Sequence, residues 1–183
     1  MPIANPKQAC PKLAPLIEYL EGLEARADLK VLERLLREVE VTRADIGPAC
    51  SFGVKAYKRN SISRGQWHEL VALCWRSGDV TPIHDHEGSS CAFKVIEGDG
   101  TEIRFKRTPS GLVCPDTVND MPEGYLCSAD DADIHQVANM QAPGTDLITL
   151  HIYSPPIVSM RTYRFSCRSP VEVLDMATAA EQG

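Results

Sequence analysis

Near Gly53 the hydrophobic period of this chain changes, and few folds can accommodate what lies on both sides of that change. Before it, Leu13, Leu16, Ile17, Leu20 and Leu23 recur at helical spacing. Leu29, Leu32, Leu35, Leu36 and Val39 do so again after a break near Ala27 and Asp28. After it come short strand-like runs at 54–60, 67–75, 80–86, 91–97, 101–107, 124–128, 134–138, 146–153 and 161–166. Turn signals such as Ser77-Gly78, Gly98-Asp99-Gly100 and Ser110-Gly111 part them. The pattern predicts an all-β fold, a closed β-barrel or jelly roll, flanked at its N-terminus by a pair of amphipathic α-helices. At 183 residues one compact unit is expected. Residues 1–45 would form the helical flank and 53–168 the barrel, while the small polar segment 175–183 would fray.

The net charge of −6 argues against nucleic acid or an anionic membrane as partner. The first residues lack an apolar run of signal-peptide length, and no later stretch approaches the roughly 20 apolar residues of a membrane span. Seven cysteines, with no C-x-x-C pair, fit neither a disulfide framework nor a structural zinc site. A soluble cytoplasmic protein is expected.

Chemistry concentrates in Pro82-Ile83-His84-Asp85-His86-Glu87-Gly88. Side chains at i and i+2 of an extended segment point the same way, so His84 and His86 can bite one metal ion just before a turn. His135, in a separate strand-like run, is the natural third ligand in a barrel. Three neutral nitrogens suit iron, zinc, copper or nickel. In the next run Cys91, Phe93 and Val95 alternate with Ala92 and Lys94, so Cys91 should face the same interior. Thr149, His151 and Tyr153 likewise share one face. A buried polar stripe of that kind needs internal partners, and a relay from Thr149 through His151 to Tyr153 would supply them. Tyr57 and Arg59 share a face near the barrel's start. The planar fork of Arg59 suits a substrate carboxylate, unless it pairs with one of the acidic residues instead.

His-x-His at a strand end followed by a distant histidine resembles the cupin metal motif, with Cys91 where ordinary cupins place a glutamate ligand. Several blocks together resemble the cysteine dioxygenase family: Tyr57-x-Arg59-Asn60, Leu73-Cys74-Trp75, Ile83-His84-Asp85-His86 with Cys91, Ile134-His135-x-Val137-x-Asn139, and His151-x-Tyr153-Ser154-Pro155-Pro156. The resemblance spans about 55 to 160 with order and spacing preserved. It implies a cupin barrel that holds ferrous iron, Fe(2+), through His84, His86 and His135, and that converts L-cysteine and O2 to cysteine sulfinate. By the same resemblance Arg59 would hold the substrate carboxylate with support from Tyr57. Tyr153 would hydrogen-bond the reactants, oriented by His151. Cys91 and Tyr153 match the pair that forms a thioether cross-link in some members. Ser154-Pro155 is a candidate cis bond. Thr149 and Met160 depart from the family's pattern, away from the expected ligands.

Competing readings remain at this point. The enzyme could prefer another small carboxylated thiol such as 3-mercaptopropionate, or be a zinc, nickel or manganese cupin isomerase or hydrolase. It could also be a non-catalytic cupin that senses a metal or ligand. His68 has no place in any motif and is expected to be structural. A monomer acting on small molecules is expected.

Overall fold

The computed structural model describes residues 2–129 and 133–164, and the backbone of 171–175. Three short α-helices come first: α1 (Pro6–Ala9), α2 (Ala14–Glu21) and α3 (Leu29–Glu38). The strands follow as β1 (Lys58–Arg64), β2 (Glu69–Trp75), β3 (Ile83–His84), β4 (Ser90–Glu97), β5 (Gly100–Arg107), β6 (Val113–Met121), β7 (Leu126–Ala129), β8 (Ile134–Ala138), β9 (Leu147–Ser154), β10 (Ser159–Tyr163) and β11 (Val171–Asp175). They form two antiparallel sheets, ordered β1-β2-β9-β4-β7 and β11-β10-β3-β8-β5-β6. Inward side chains of the first sheet (Val71, Trp75, Phe93) and of the second (Met121, Val137, Met160) pack into one cluster, so the sheets face each other. This is the expected all-β jelly roll with its helical flank.

Strand parity explains both sides of the first sheet. Along β9, Ile148, Leu150 and Ile152 point outward and join Leu70, Ala72, Cys74 and Ala92 beneath the helices, while Thr149, His151 and Tyr153 point inward. The helices cover that outer face with Leu16, Ile17, Leu20, Leu32 and Leu36, each nearly or wholly buried. Each such leucine contributes about 1.5–3 kcal/mol by leaving water. The break expected near Ala27 and Asp28 is a helix cap: the Asp28 carboxylate accepts from Lys30 N at 2.9 Å and Val31 N at 3.2 Å, which starts α3. Among the described residues no helix is long and apolar enough to cross a membrane.

The strand map departs from expectation in several places. β1 begins at Lys58 rather than 54, and Val54, at 96% exposure, buries almost nothing that would hold it in a strand. β6 had no apolar signature: Val-Cys-Pro-Asp-Thr-Val-Asn-Asp-Met is polar and carries Pro115. It is an edge strand in the order above, where a proline forfeits no ladder bond, and the register slips beside Pro115. β3 is only two residues long, so His86 lies beyond its end rather than within a strand. β11 extends the second sheet past the expected barrel limit at 168, and 176–183, most of the expected tail, lies outside the described residues.

Candidate active site

Between the sheets, His84, His86 and His135 converge, with one donor nitrogen from each within 4.8 Å of the others. Antiparallel pairing sets His84 of β3 directly opposite His135 of β8. His86 reaches the cluster through the turn that follows, where Glu87 (φ 32°) and Gly88 (φ 89°) adopt left-handed backbone and reverse the chain into β4. Its ring meets His135 edge-on at 4.9 Å.

Hydrogen bonds fix the tautomers. The Nδ1–H of His84 donates to Pro82 O at 2.9 Å, and that of His135 donates to Glu102 Oε1 at 2.9 Å, which leaves each Nε2 with a bare lone pair. Burial, then the neighbouring His135, lowers His84 to a pKa of about 3; the same influences, with His84 itself, hold His86 well below its usual range. Both rings are therefore neutral at pH 7. The His86 Nδ1 is buried and has no hydrogen-bond partner among the described residues. Among the described residues no carboxylate or thiol joins this donor set. Three buried imidazoles this close, one with an orphaned nitrogen, fit a transition-metal ion.

Glu102, which sequence reasoning did not single out, is fully buried. Its Oε2 accepts from Arg104 Nε at 2.9 Å and Asn119 Nδ2 at 3.1 Å. Burial opposes its charge, but His135, Arg104 and Asn119 outweigh that and bring its pKa down to about 2, so it is ionised. This is the carboxylate–histidine arrangement that orients metal ligands. Local pattern gives it no signal: in Thr-Glu-Ile-Arg-Phe the apolar Ile103 and Phe105 point outward, away from the cavity, and Glu102 points in.

The expected polar stripe forms a continuous chain. Trp75 Nε1–H donates to Thr149 Oγ1 at 3.1 Å, Thr149 Oγ1 lies 2.8 Å from His151 Nε2, and the Tyr153 hydroxyl lies 3.2 Å from His151 Nδ1. Phe93 stacks on the His151 ring at 4.7 Å. Burial, then Arg59, keeps His151 neutral. Burial, reinforced by Cys91, raises the Tyr153 phenol above its ordinary pKa, so it keeps its proton at pH 7. Cys91 is the direct cross-strand partner of Tyr153 and sits 4.0 Å from His151 Nδ1. Burial raises its thiol too.

The histidines, His151 and Tyr153 line a small cavity shared with Tyr57, Arg59 and Met160. Met160 is therefore nearer the site than expected. Tyr57 stacks on Trp75 at 4.3 Å, and the Arg59 guanidinium lies 5.2 Å above the Tyr153 ring. Burial works against the Arg59 charge, but Tyr153, Glu69 and Tyr57 outweigh it and raise its pKa. The alternative foreseen for Arg59 is also present: its Nη2 pairs with Glu69 Oε2 at 3.3 Å. Ser154-Pro155 is cis. Ser154 Oγ donates to Trp67 O at 2.6 Å and accepts from Ala27 N at 2.9 Å, which ties the end of β9 to the helical flank. His68 stands apart, bonded to Ser63 Oγ at 3.0 Å.

A family model described as "Cysteine dioxygenase type I" matches residues 4–166. The chain belongs to the cysteine dioxygenase type I family. Among its relatives, cysteine dioxygenase type 1 of Danio rerio is 28% identical over 159 residues, covering 82% of this chain and 78% of that protein. The Rattus norvegicus protein of the same name is 29% identical over 150 residues, covering 79% and 74%. A solved Klebsiella pneumoniae protein with a double-stranded beta-helix domain is 15% identical, with a TM-score of 0.47 over 60% of this chain and 85% of that one. At family level the chemistry of this chain is that of a thiol dioxygenase acting on small molecules.

Proposed function

We propose that this chain oxidises L-cysteine with O2 to cysteine sulfinate at a ferrous centre held by His84, His86 and His135. The observation that carries the reading is the convergence of three buried imidazoles with Arg59 and Tyr153 on one small cavity. Ferrous iron, when bound, supplies electrons to O2 and open coordination positions for a thiolate. His84 and His86, neutral at pH 7, offer their lone pairs without first losing a proton, and Glu102 keeps His135 facing inward. Arg59 takes the substrate carboxylate, a group that cysteamine lacks. Tyr153, protonated and braced by His151, Thr149 and Trp75, donates a hydrogen bond where negative charge develops. The enclosing walls hold the reactants in one orientation.

Cys91 and Tyr153 face each other across β4 and β9, which supports a thioether between Sγ and the phenol ring. Forming it removes the S–H and one ring C–H; the two electrons and two protons pass to O2. Free thiols at the described cysteines accord with a reducing cytoplasm, and a monomer remains the proposed form.

The test is anaerobic loading with ferrous iron, then addition of cysteine and air, with O2 uptake and mass spectrometry of the product. Cysteine sulfinate carrying both atoms of labelled O2 is expected. If 3-mercaptopropionate is turned over well and cysteine is not, the substrate assignment is wrong. If no thiol is oxidised by the iron-loaded protein, the sensing alternative takes its place.

A further inference from the structure

Arg59 does not stand alone over the cavity. Its Nη2 meets Glu69 Oε2 at 3.3 Å, and the other oxygen of Glu69 meets Arg64 Nη1 at 3.1 Å. The Glu69 side chain is 7% exposed and that of Arg59 16%, while Arg64 reaches solvent at 40%. Parity alone would put Arg64 on the opposite face of β1 from Arg59. A bulge prevents this: Ser61 pairs with Val71 and Ser63 with Leu70, so Ile62 is the extra residue. Ile62 turns into the core beneath the helices, and every residue after it changes face. Arg64 thereby falls directly opposite Glu69, which itself pairs with Tyr153 across β2 and β9.

We infer that Arg64, though outside the cavity, is a specificity-determining residue that keeps Arg59 available to a carboxylated thiol. Glu69 serves Arg59 as a positioning partner, since it fixes a guanidinium that would otherwise sample many rotamers. A lone buried carboxylate there would also cancel the charge of Arg59 and repel the carboxylate of the substrate. Arg64 offsets Glu69, so the row of three carries one net positive charge and its inner end remains cationic. This inference rests on the thiol-dioxygenase reading and adds the source of its preference for an anionic substrate.

The experiment uses iron-loaded full-length protein, with KM and kcat from O2 uptake and an anaerobic Kd for L-cysteine from calorimetry. Arg64→Gln should raise KM and Kd about two- to fivefold with little change in kcat, the range of a partly exposed ion pair. Arg64→Glu should raise both further, and Arg64→Lys should stay near the wild type. The double variant Arg64→Gln with Glu69→Gln should recover most of the lost affinity, because the uncompensated carboxylate is gone; loss of a mere structural brace would not be repaired this way. Circular dichroism checks that each variant folds. Wild-type values in both Arg64→Gln and Arg64→Glu overturn the inference. A folded double variant no better than the single one overturns it as well. If the wild type neither binds nor oxidises cysteine, the dioxygenase reading fails and takes this inference with it. If the wild type does both and the variants match it, only this inference falls.

Discussion

Replacing Glu102 by glutamine exchanges one oxygen for an amide nitrogen, yet it should weaken iron binding by about 10- to 100-fold, or roughly 1.4–2.7 kcal/mol. The carboxylate receives three donors: His135 Nδ1 on Oε1, and Arg104 Nε and Asn119 Nδ2 on Oε2. Glutamine has a single carbonyl oxygen. If that oxygen stays with His135, the amide NH2 faces Arg104 and Asn119, and donors are left without an acceptor at about 1–3 kcal/mol. If the amide flips, its NH2 faces His135 Nδ1, which can accept only by giving up its proton; the proton then moves to Nε2, the nitrogen a metal needs bare. Either outcome penalises the metal-bound state. Glu102 is wholly buried, so water offers no easy substitute. The assay is anaerobic titration of ferrous iron into apo protein in competition with a chelator, with thermal unfolding run in parallel. Iron affinity within about twofold of wild type in both Glu102→Gln and Glu102→Ala, with both folded, would refute the reasoning, since losing the carboxylate that orients a ligating histidine typically costs far more.

Further outcomes are expected elsewhere in the structure. Arg59→Ala should raise KM for cysteine about 10- to 150-fold, the equivalent of a charge-assisted bond of roughly 1.5–3 kcal/mol; a near-normal KM in O2-uptake kinetics would remove the clamp role. After turnover with iron and cysteine, a fraction of the protein should weigh two hydrogens less and run as a faster gel band, and Tyr153→Phe or Cys91→Ala should abolish both signs. A single unmodified mass after many turnovers would rule out the cross-link. Leu36→Ala, at a fully buried position between α3 and the first sheet, should cost about 2–5 kcal/mol in urea denaturation. Its kcat should be unchanged under folding conditions, because the leucine lies on the far side of the sheet from the cavity.

The period of the side chains was enough to place several residues of the candidate site on their faces. Alternation placed Cys91, His151 and Tyr153 on one interior face, and the structure puts them there as neighbours on β4 and β9. Helical spacing located both leucine stripes, and they cover the outer face of the same sheet. Such readings hold because the face a strand residue takes is a local property of extended backbone. Other features had no local signal. β6 is polar because an edge strand buries little, so hydrophobic patterning was blind to it. His86 enters the donor cluster through a left-handed turn rather than through strand parity. Glu102 occupies an inward position because Asn119, Arg104 and His135 meet there, and those partners come from β6, β5 and β8. Arg64 changes face only because the bulge at Ile62 shifts the register against β2. Face and period follow from the chain's own neighbours. Which charge a buried carboxylate balances, and where a register slips, depends on strands distant in sequence, and only packing them together decides it.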